Sequence, residues 1–209
     1  MGCPGSCGPS RWSRDGGRGP ESETAVREPA VTPAPLRGRR VELRRLRRSD
    51  ASALDMVLRD RRATRWLPPR VRGETGARFV ARVLAETRRG DGAPFVIRPL
   101  GATEVVGQIR LFHCSPLERN ADVGYWIRRS SWGNGFATEA LSLACRYGFR
   151  SMALARIQAK VVVGNDASRR VLEKVGFQLE GTERRSAVLA RGRGDVWSFG
   201  LLRGELRTS

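Results

Sequence analysis

Histidine is all but missing from this chain: His113 is the only one among 209 residues. That excludes zinc motifs built on two histidines and leaves one candidate for any histidine-dependent catalytic group. Lysine is nearly as scarce. Only Lys160 and Lys174 occur, so almost all of the 39 basic residues are arginine. An arginine surplus suits phosphate-bearing partners, because a guanidinium makes paired hydrogen bonds to phosphate oxygens. General replacement of Lys by Arg, as in a GC-rich coding sequence, is the plainer account of the lysine shortage, but it does not explain a net charge of +18. The four cysteines, Cys3, Cys7, Cys114 and Cys145, form no C-x-x-C pair, so neither a zinc ribbon nor a disulfide framework is indicated. No apolar run approaches the ~20 residues that span a bilayer, and no signal-peptide core is visible. The expectation is a reduced, cytoplasmic protein with no membrane contact and no metal. The opening Met1-Gly2-Cys3-Pro4-Gly5-Ser6 fits the myristoylation pattern, which short sequences also meet by chance.

What is present divides the chain. Residues 1–36 are rich in Pro, Gly and Ser, carry no net charge and show almost no apolar periodicity. Such a segment buries too little apolar surface to offset its chain entropy, which predicts a disordered tail over 1–36 and one domain over 37–209. The whole positive excess falls in that domain. There, Val41–Arg44 alternates as a strand, a helix follows Ser49-Asp50, and a second spans about Thr75–Arg88 with Phe79, Val80, Val83 and Leu84 on one face. Strands are expected at Phe95–Arg98 and Glu104–Phe112, joined as a hairpin across Leu100-Gly101-Ala102, and at Ala121–Ile127. A helix over about Gly135–Arg150 aligns Ala137, Leu141, Ala144 and Gly148 for close packing on a sheet. Arg156–Val163, Phe177–Thr182 and Val196–Leu202 read as strands and Asp166–Val175 as a helix. This order predicts an α/β domain with a mixed central sheet flanked by helices.

The most informative stretch runs Tyr125-Trp126-Ile127-Arg128-Arg129-Ser130-Ser131-Trp132-Gly133-Asn134-Gly135-Phe136-Ala137-Thr138-Glu139-Ala140. It reads as strand, polar turn, glycine-bracketed loop and helix. Glycines let a backbone approach a ligand closely, and a helix start offers unpaired N–H groups with partial positive charge. That combination is a phosphate site, with Arg128 and Arg129 adding charge beside it. A Walker loop is excluded, because Gly135 is followed by Phe136 rather than Lys. A dinucleotide fingerprint is excluded by Thr138 in place of a third glycine.

Gly124-Tyr125-Trp126-Ile127 followed by Trp132-Gly133-Asn134-Gly135-Phe136-Ala137-Thr138-Glu139-Ala140 resembles the acetyl-CoA loop of the GNAT superfamily of N-acetyltransferases. The resemblance is closest to the RimJ/RimL-like branch, which acetylates protein N-terminal amines. A second signature agrees, from Ile157-Gln158-Ala159-Lys160-Val161 through Asn165-Asp166-Ala167-Ser168 to Lys174-Val175-Gly176-Phe177. The likeness covers about residues 37–205 in order. It implies a single GNAT-like domain in which the strand through Trp126 and Ile127 pairs with the pantetheine arm. Amides from Trp132 to Ala137, with Thr138, would hold the pyrophosphate, and Asn165 would bind pantetheine near the thioester. Ser168 matches the serine proposed in this branch to protonate the departing thiolate. Two departures stand out: Leu172 occupies the place of a tyrosine acid common in the superfamily, and Lys160 that of a glutamate base.

A base is still required, since an alkylammonium has no lone pair with which to attack a thioester. Asp122 and His113 are the candidates, each near a strand end, and a water chain is a third route. A solvated strand carboxylate and a surface imidazole are the plainer readings of the two. Cys114 beside His113 makes a poor dyad, because neighbouring strand residues face opposite ways. Trp66-Leu67-Pro68-Pro69 is expected over the substrate, and Trp126 and Trp132 are expected to pack. The function implied is transfer of an acetyl group from acetyl-CoA to a primary amine, most readily a protein N-terminus of ribosomal type, by direct attack in a ternary complex. The alternatives are a small-molecule or antibiotic acceptor, an acyl-CoA binder without turnover, and an RNA- or ribosome-associated protein. No RNA-stacking motif is evident, so direct nucleic-acid binding is not expected. Monomer and homodimer are both open.

Overall fold

The computed structural model describes residues 34–189 and 192–207. The expectation of disorder therefore lies, for residues 1–33, outside the described residues, as do Cys3 and Cys7. The boundary at 36/37 needs correction. Leu36 belongs to a short strand, β1 (Leu36–Arg37), where it pairs with Leu43 and packs half-buried against the core. Two residues carry no periodicity, so this strand was invisible to a pattern argument.

The remaining elements follow the predicted order. They are β2 (Val41–Arg45), α1 (Ala51–Leu58), α2 (Arg61–Thr64), α3 (Gly76–Arg88), β3 (Gly92–Pro99), β4 (Gly107–Ser115) and β5 (Asn120–Ile127). Then come α4 (Phe136–Ser151), β6 (Arg156–Val162), α5 (Asp166–Val175), β7 (Gln178–Val188) and β8 (Arg193–Leu202). Only β1 and α2 were not anticipated. Asp60 caps the single turn of α2, accepting from the amides of Arg62 and Ala63. β7 runs past its expected end at Thr182 because β8 continues to pair with it, through two register shifts.

The strands form one mixed sheet in the order β1-β2-β3-β4-β5-β6-β8-β7. Every neighbouring pair is antiparallel except β5–β6, which is parallel and joined by the crossover helix α4. On one face, α4 and α5 bury Leu141, Ala144 and Leu172 against Phe95, Ile109, Leu111, Ile157 and Phe199. The small-residue stripe acts as expected: a Cβ on Gly148 would sit only 3.0 Å from Leu111 and 3.1 Å from Ile157, so helix and sheet lie close. On the other face, α1 and α3 bury Leu54, Val57, Phe79, Val80 and Val83 with Val96 and Trp126.

The sheet opens between β5 and β6. β5 and β6 pair only at Asn120↔Arg156, Ala121↔Ile157 and Asp122↔Gln158. Beyond that point β5 continues to Ile127 and β6 to Val162 without pairing to each other, so two strands in mid-sheet diverge into a slot. Arg128 N–H donates to Val106 O on the β4 side. By alternation along the ladder, the backbone groups of Val123, Tyr125 and Ile127 face the slot. Polar backbone at the centre of a sheet demands a partner, and among the described residues only one indole bonds to that edge.

Because residues 1–33 carry no net charge, a variant lacking them is expected to retain the melting temperature and acetyl-CoA affinity of the full chain. Thermal unfolding and calorimetric titration check this, and a large loss of either would show that the segment docks. Removing Leu36 and Arg37 as well deletes β1 and should destabilise the sheet edge.

Candidate active site

The mouth of the slot is the loop between β5 and α4. A 3-10 turn (Arg129–Ser131) leads into Trp132-Gly133-Asn134-Gly135, and α4 begins at Phe136. Gly133 and Gly135 both adopt left-handed backbone, φ +80° and +75°. Gly135 is the N-cap of α4 and offers no side-chain acceptor, so the first amides of a 16-residue helix face outward without a cap. Those amides, with the helix dipole, fit a phosphate.

The charge beside the loop differs from the one anticipated. Arg128 is ion-paired with Glu104, contacts Ser131, and has its Nε buried without a partner. Arg129 lies 3.8 Å from Asp60. Arg40 and Lys174 also flank the loop, sharing a pocket of about 260 Å³ with Arg39, Gly135, Thr138 and Glu139. Arg40 donates to Asn134 O at 3.2 Å, and its guanidinium lies 2.7 Å from where a Cβ on Gly135 would sit. Glu139, in the first turn of α4, holds this arrangement. Its carboxylate accepts from the amides of Arg39, Arg40 and Val41 at 2.6, 2.7 and 3.0 Å. The acid nearest the loop is thus turned to the β1–β2 turn and leaves the loop cationic. No spacing in the sequence brings residues 40 and 135 together; only the sheet does.

The two tryptophans separate. Trp126 is buried on the α3 face, edge-to-face with Phe79 at 5.9 Å, and by alternation its backbone faces Gln108 of β4, so neither its ring nor its backbone lines the slot. Trp132 is half exposed, contrary to the packing role expected for it, and its indole donates to Ile127 O at 2.8 Å. It therefore ties down the carbonyl at the slot's mouth. Across the slot, the Trp66 ring lies 3.5 Å from a Cβ placed on Gly164, which brings Trp66 against the β6–α5 turn.

At the wall formed by α5, Asn165 is the helix N-cap and its Oδ1 accepts from Ser168 N at 3.4 Å. Leu172 is fully buried in the core beneath, so no hydroxyl reaches the slot from that position. Lys160 pairs with Glu183 at 2.8 Å. That hydrogen bond, with Ser186 and Ser198 also donating, holds Glu183 down at about 2, which makes it a weak base. Tyr125 comes from the β5 wall to Ser168: its Oη is 3.0 Å from Ser168 Oγ and 3.4 Å from Ser168 O. Burial pushes this phenol well above its ordinary value, although the Ser168 bond pulls the other way. The motif that contains Tyr125 gives it no role in the sequence, since its partner lies 43 residues away.

The closed end of the slot brings two candidates into one unit. His113 Nδ1 lies 3.0 Å from Asp122 Oδ2. Strand alternation would turn residue 113 away from Asp122, but β4 shifts register between Phe112 and Ser115 and His113 has φ +50°. That bulge swings the imidazole onto the face that carries Asp122, Gly124 and Trp126. Asp122 is itself the last β5 residue paired to β6. The neighbouring Cys114 is no partner: burial, with Asp91 and Asp122 nearby, pushes its thiol up to about 12. Cys145 is completely buried and its thiol is raised for the same first reason. Neither thiolate is available at neutral pH. Both cysteines are expected to stay unmodified by iodoacetamide in the native protein and to react once it is unfolded, as peptide mapping would show.

Among the described residues, no group of three or more His, Cys, Asp and Glu side chains could hold a metal ion, and no helix is long and apolar enough to cross a membrane. The loop, slot and uncapped helix start instead suit a phosphorylated cofactor with an extended amide-containing arm.

Comparison with known proteins agrees. Residues 40–178 match the acetyltransferase (GNAT) domain family. N-acetyltransferase p20 of Bacillus licheniformis is 31% identical over 169 residues, which is 79% of this chain and 94% of that protein. The ribosomal-protein-serine acetyltransferase of Escherichia coli is 32% identical over 93 residues, 44% of this chain and 52% of that protein. Several curated relatives are matched over only about half their length, one of them over 46%. Among solved structures, RimJ of Mycobacterium smegmatis in complex with CoA-disulfide superposes with a TM-score of 0.73 at 31% identity, covering 84% of this chain and 89% of that one. A sheet split at Asp122, a glycine loop at its mouth and a family match running across both have one explanation: the chain belongs to the GNAT family of acetyltransferases.

Proposed function

We propose that this protein transfers an acetyl group from acetyl-CoA to a primary amine, and that the amine is a protein N-terminus. The observation that carries the transfer reading is the ladder that stops at Asp122↔Gln158. The slot beyond it presents backbone donors and acceptors at the spacing of a missing strand, which the amides of a pantetheine arm can satisfy. The uncapped start of α4, with Gly133 to Ala137, holds the pyrophosphate, and Arg40 and Lys174 add positive charge beside it. Asn165, having spent Oδ1 on its helix, keeps its amide nitrogen for a pantetheine carbonyl.

The slot leads from this loop to the His113–Asp122 pair. Asp122 orients the imidazole, and His113 takes the proton that the incoming ammonium must lose. The neutral amine attacks the thioester directly, and backbone N–H groups of β5 stabilise the oxyanion that forms. Ser168 donates to the departing sulfur. Direct attack needs no covalent acyl-enzyme, and among the described residues both cysteines have thiols raised by burial.

A protein acceptor is favoured by the likeness to RimJ and to the ribosomal-protein-serine acetyltransferase. It is also favoured by charge. A domain holding the whole +18 repels polyamines and aminoglycosides and attracts acidic surroundings. An acceptor screen with acetyl-CoA, read by thiol release and product mass, tests this. N-terminal peptides should turn over well above spermidine and aminoglycosides. Preference for a polyamine would overturn the acceptor assignment, and thiol release with no amine tested would reduce the protein to an acyl-CoA binder.

A further inference from the structure

The bond between Tyr125 and Ser168 spans the slot. Tyr125 lies on β5 three residues past the last β5–β6 pair, and Ser168 lies in the first turn of α5, which follows β6. Two walls that make no ladder contact here are therefore joined by two hydroxyls 3.0 Å apart. Each hydroxyl can donate to only one partner, so the direction of this bond decides where the serine proton points. Ser168 O is the poorer acceptor for the phenol, at 3.4 Å, while Ser168 Oγ is the nearer.

We infer that Tyr125 is a positioning residue for acetyl transfer: its phenol donates to Ser168 Oγ and thereby aims the serine O–H into the slot, at the position of the departing sulfur. This rests on the reading of Ser168 as donor to the thiolate. The balance of the step is simple. The C–N bond forms, the C–S bond breaks, and the amine nitrogen loses the proton that sulfur finally carries. Ser168 gives its own proton to sulfur and regains one from the solvent or the base. Tyr125 ends with the proton with which it began, having kept a hydrogen bond on Ser168 Oγ while that oxygen was short of one. This also accounts for the departure at Leu172. With the core closed over that position, a phenol enters from the facing strand and acts on the serine, not on the substrate.

The geometry has a second consequence. Asn165 Oδ1 holds the amide of Ser168 while Tyr125 holds its side chain, so the residue is fixed at two atoms from two elements. A serine restrained in this way loses little further freedom when the substrate arrives.

The test is a double-mutant cycle of Tyr125→Phe and Ser168→Ala in the full chain, with turnover measured under saturating substrates where chemistry limits the rate. Phenylalanine preserves the ring and removes one hydrogen bond, so it should lower kcat by about 3–10-fold with KM for acetyl-CoA unchanged. In the Ser168→Ala background the same change should cost nothing further. An equal loss in both backgrounds would show that Tyr125 acts without Ser168 and would overturn the inference, as would full activity of Tyr125→Phe beside an impaired Ser168→Ala. Full activity of Ser168→Ala would remove the underlying role of the serine itself, which the single variant reveals on its own. Should Tyr125→Phe fold poorly, a fluorinated tyrosine at position 125 supplies the second arm. Its more acidic phenol is a stronger donor, so kcat should change in the wild-type background and stay unchanged in Ser168→Ala, and an equal change in both would overturn the inference.

Discussion

Replacing His113 by Ala is expected to lower kcat by about 10²-fold or more, the usual worth of a general base, while leaving the affinity for acetyl-CoA nearly intact. The pair lies at the closed end of the slot, and the phosphate loop lies at its mouth, so the two functions separate in space. Asp122→Ala should fall to a similar extent, because it leaves the imidazole without the acceptor that orients it. The double variant should be no worse than His113→Ala, since the two act as a unit. Thiol-release kinetics with a saturating peptide acceptor provide the measurement. Wild-type turnover in both single variants would sink the dyad and hand deprotonation to a water chain. Losses that multiply would show two independent roles. The strain at His113 gives a further check. A non-glycine residue at φ +50° costs roughly 1–2 kcal/mol, so His113→Gly should restore or raise stability while losing turnover. A residue held for packing alone would show the opposite pairing.

The second large effect is expected at Gly135. Gly135 has φ +75°, and a Cβ there would meet the Arg40 guanidinium at 2.7 Å. Gly135→Val should therefore do two things. Left-handed backbone costs an ordinary residue about 1–2 kcal/mol, and a β-branched one more, which lowers the melting temperature by several degrees at about 2–4 °C per kcal/mol. It also displaces amides whose charge-assisted bonds to phosphate are worth roughly 1.5–3 kcal/mol each, so affinity should drop by ~10²-fold or more. Gly135→Asn separates the two, since asparagine tolerates left-handed backbone. That variant should melt close to wild type and still bind acetyl-CoA poorly. Wild-type affinity by calorimetry in folded Gly135→Asn would overturn the phosphate-loop assignment. Arg40→Ala should be milder, and its effect should fade with salt as the charge is screened over ~8–10 Å.

The elements built on long periods are legible in the sequence. α3 shows its buried face as Phe79, Val80 and Val83, α4 shows Leu141, Ala144 and Gly148, and α5 begins and ends at the residues expected of it. Each pattern repeats often enough for local physics to decide it, because the apolar face of a helix must be covered by something. The glycine loop was equally plain, since left-handed positions and an uncapped helix start are properties of a few consecutive residues. Through those motifs the sequence by itself determined the family and the cofactor class, and it marked the glycine loop as the candidate phosphate site.

Contacts between distant segments belong to the tertiary structure alone. Arg40 reaches Gly135 because Glu139 gathers three amides of the β1–β2 turn onto α4. Arg128, which proximity in sequence recommended for the phosphate, is claimed by Glu104 across a loop. Strand alternation turns His113 away from Asp122, and a bulge of one extra residue on β4 reverses that. Tyr125 meets Ser168 only because β5 and β6 part after Asp122 and let α5 close the gap. In each case the deciding quantity is a register or a divergence between strands. Those are set by how whole elements pack, and no window of consecutive residues contains them.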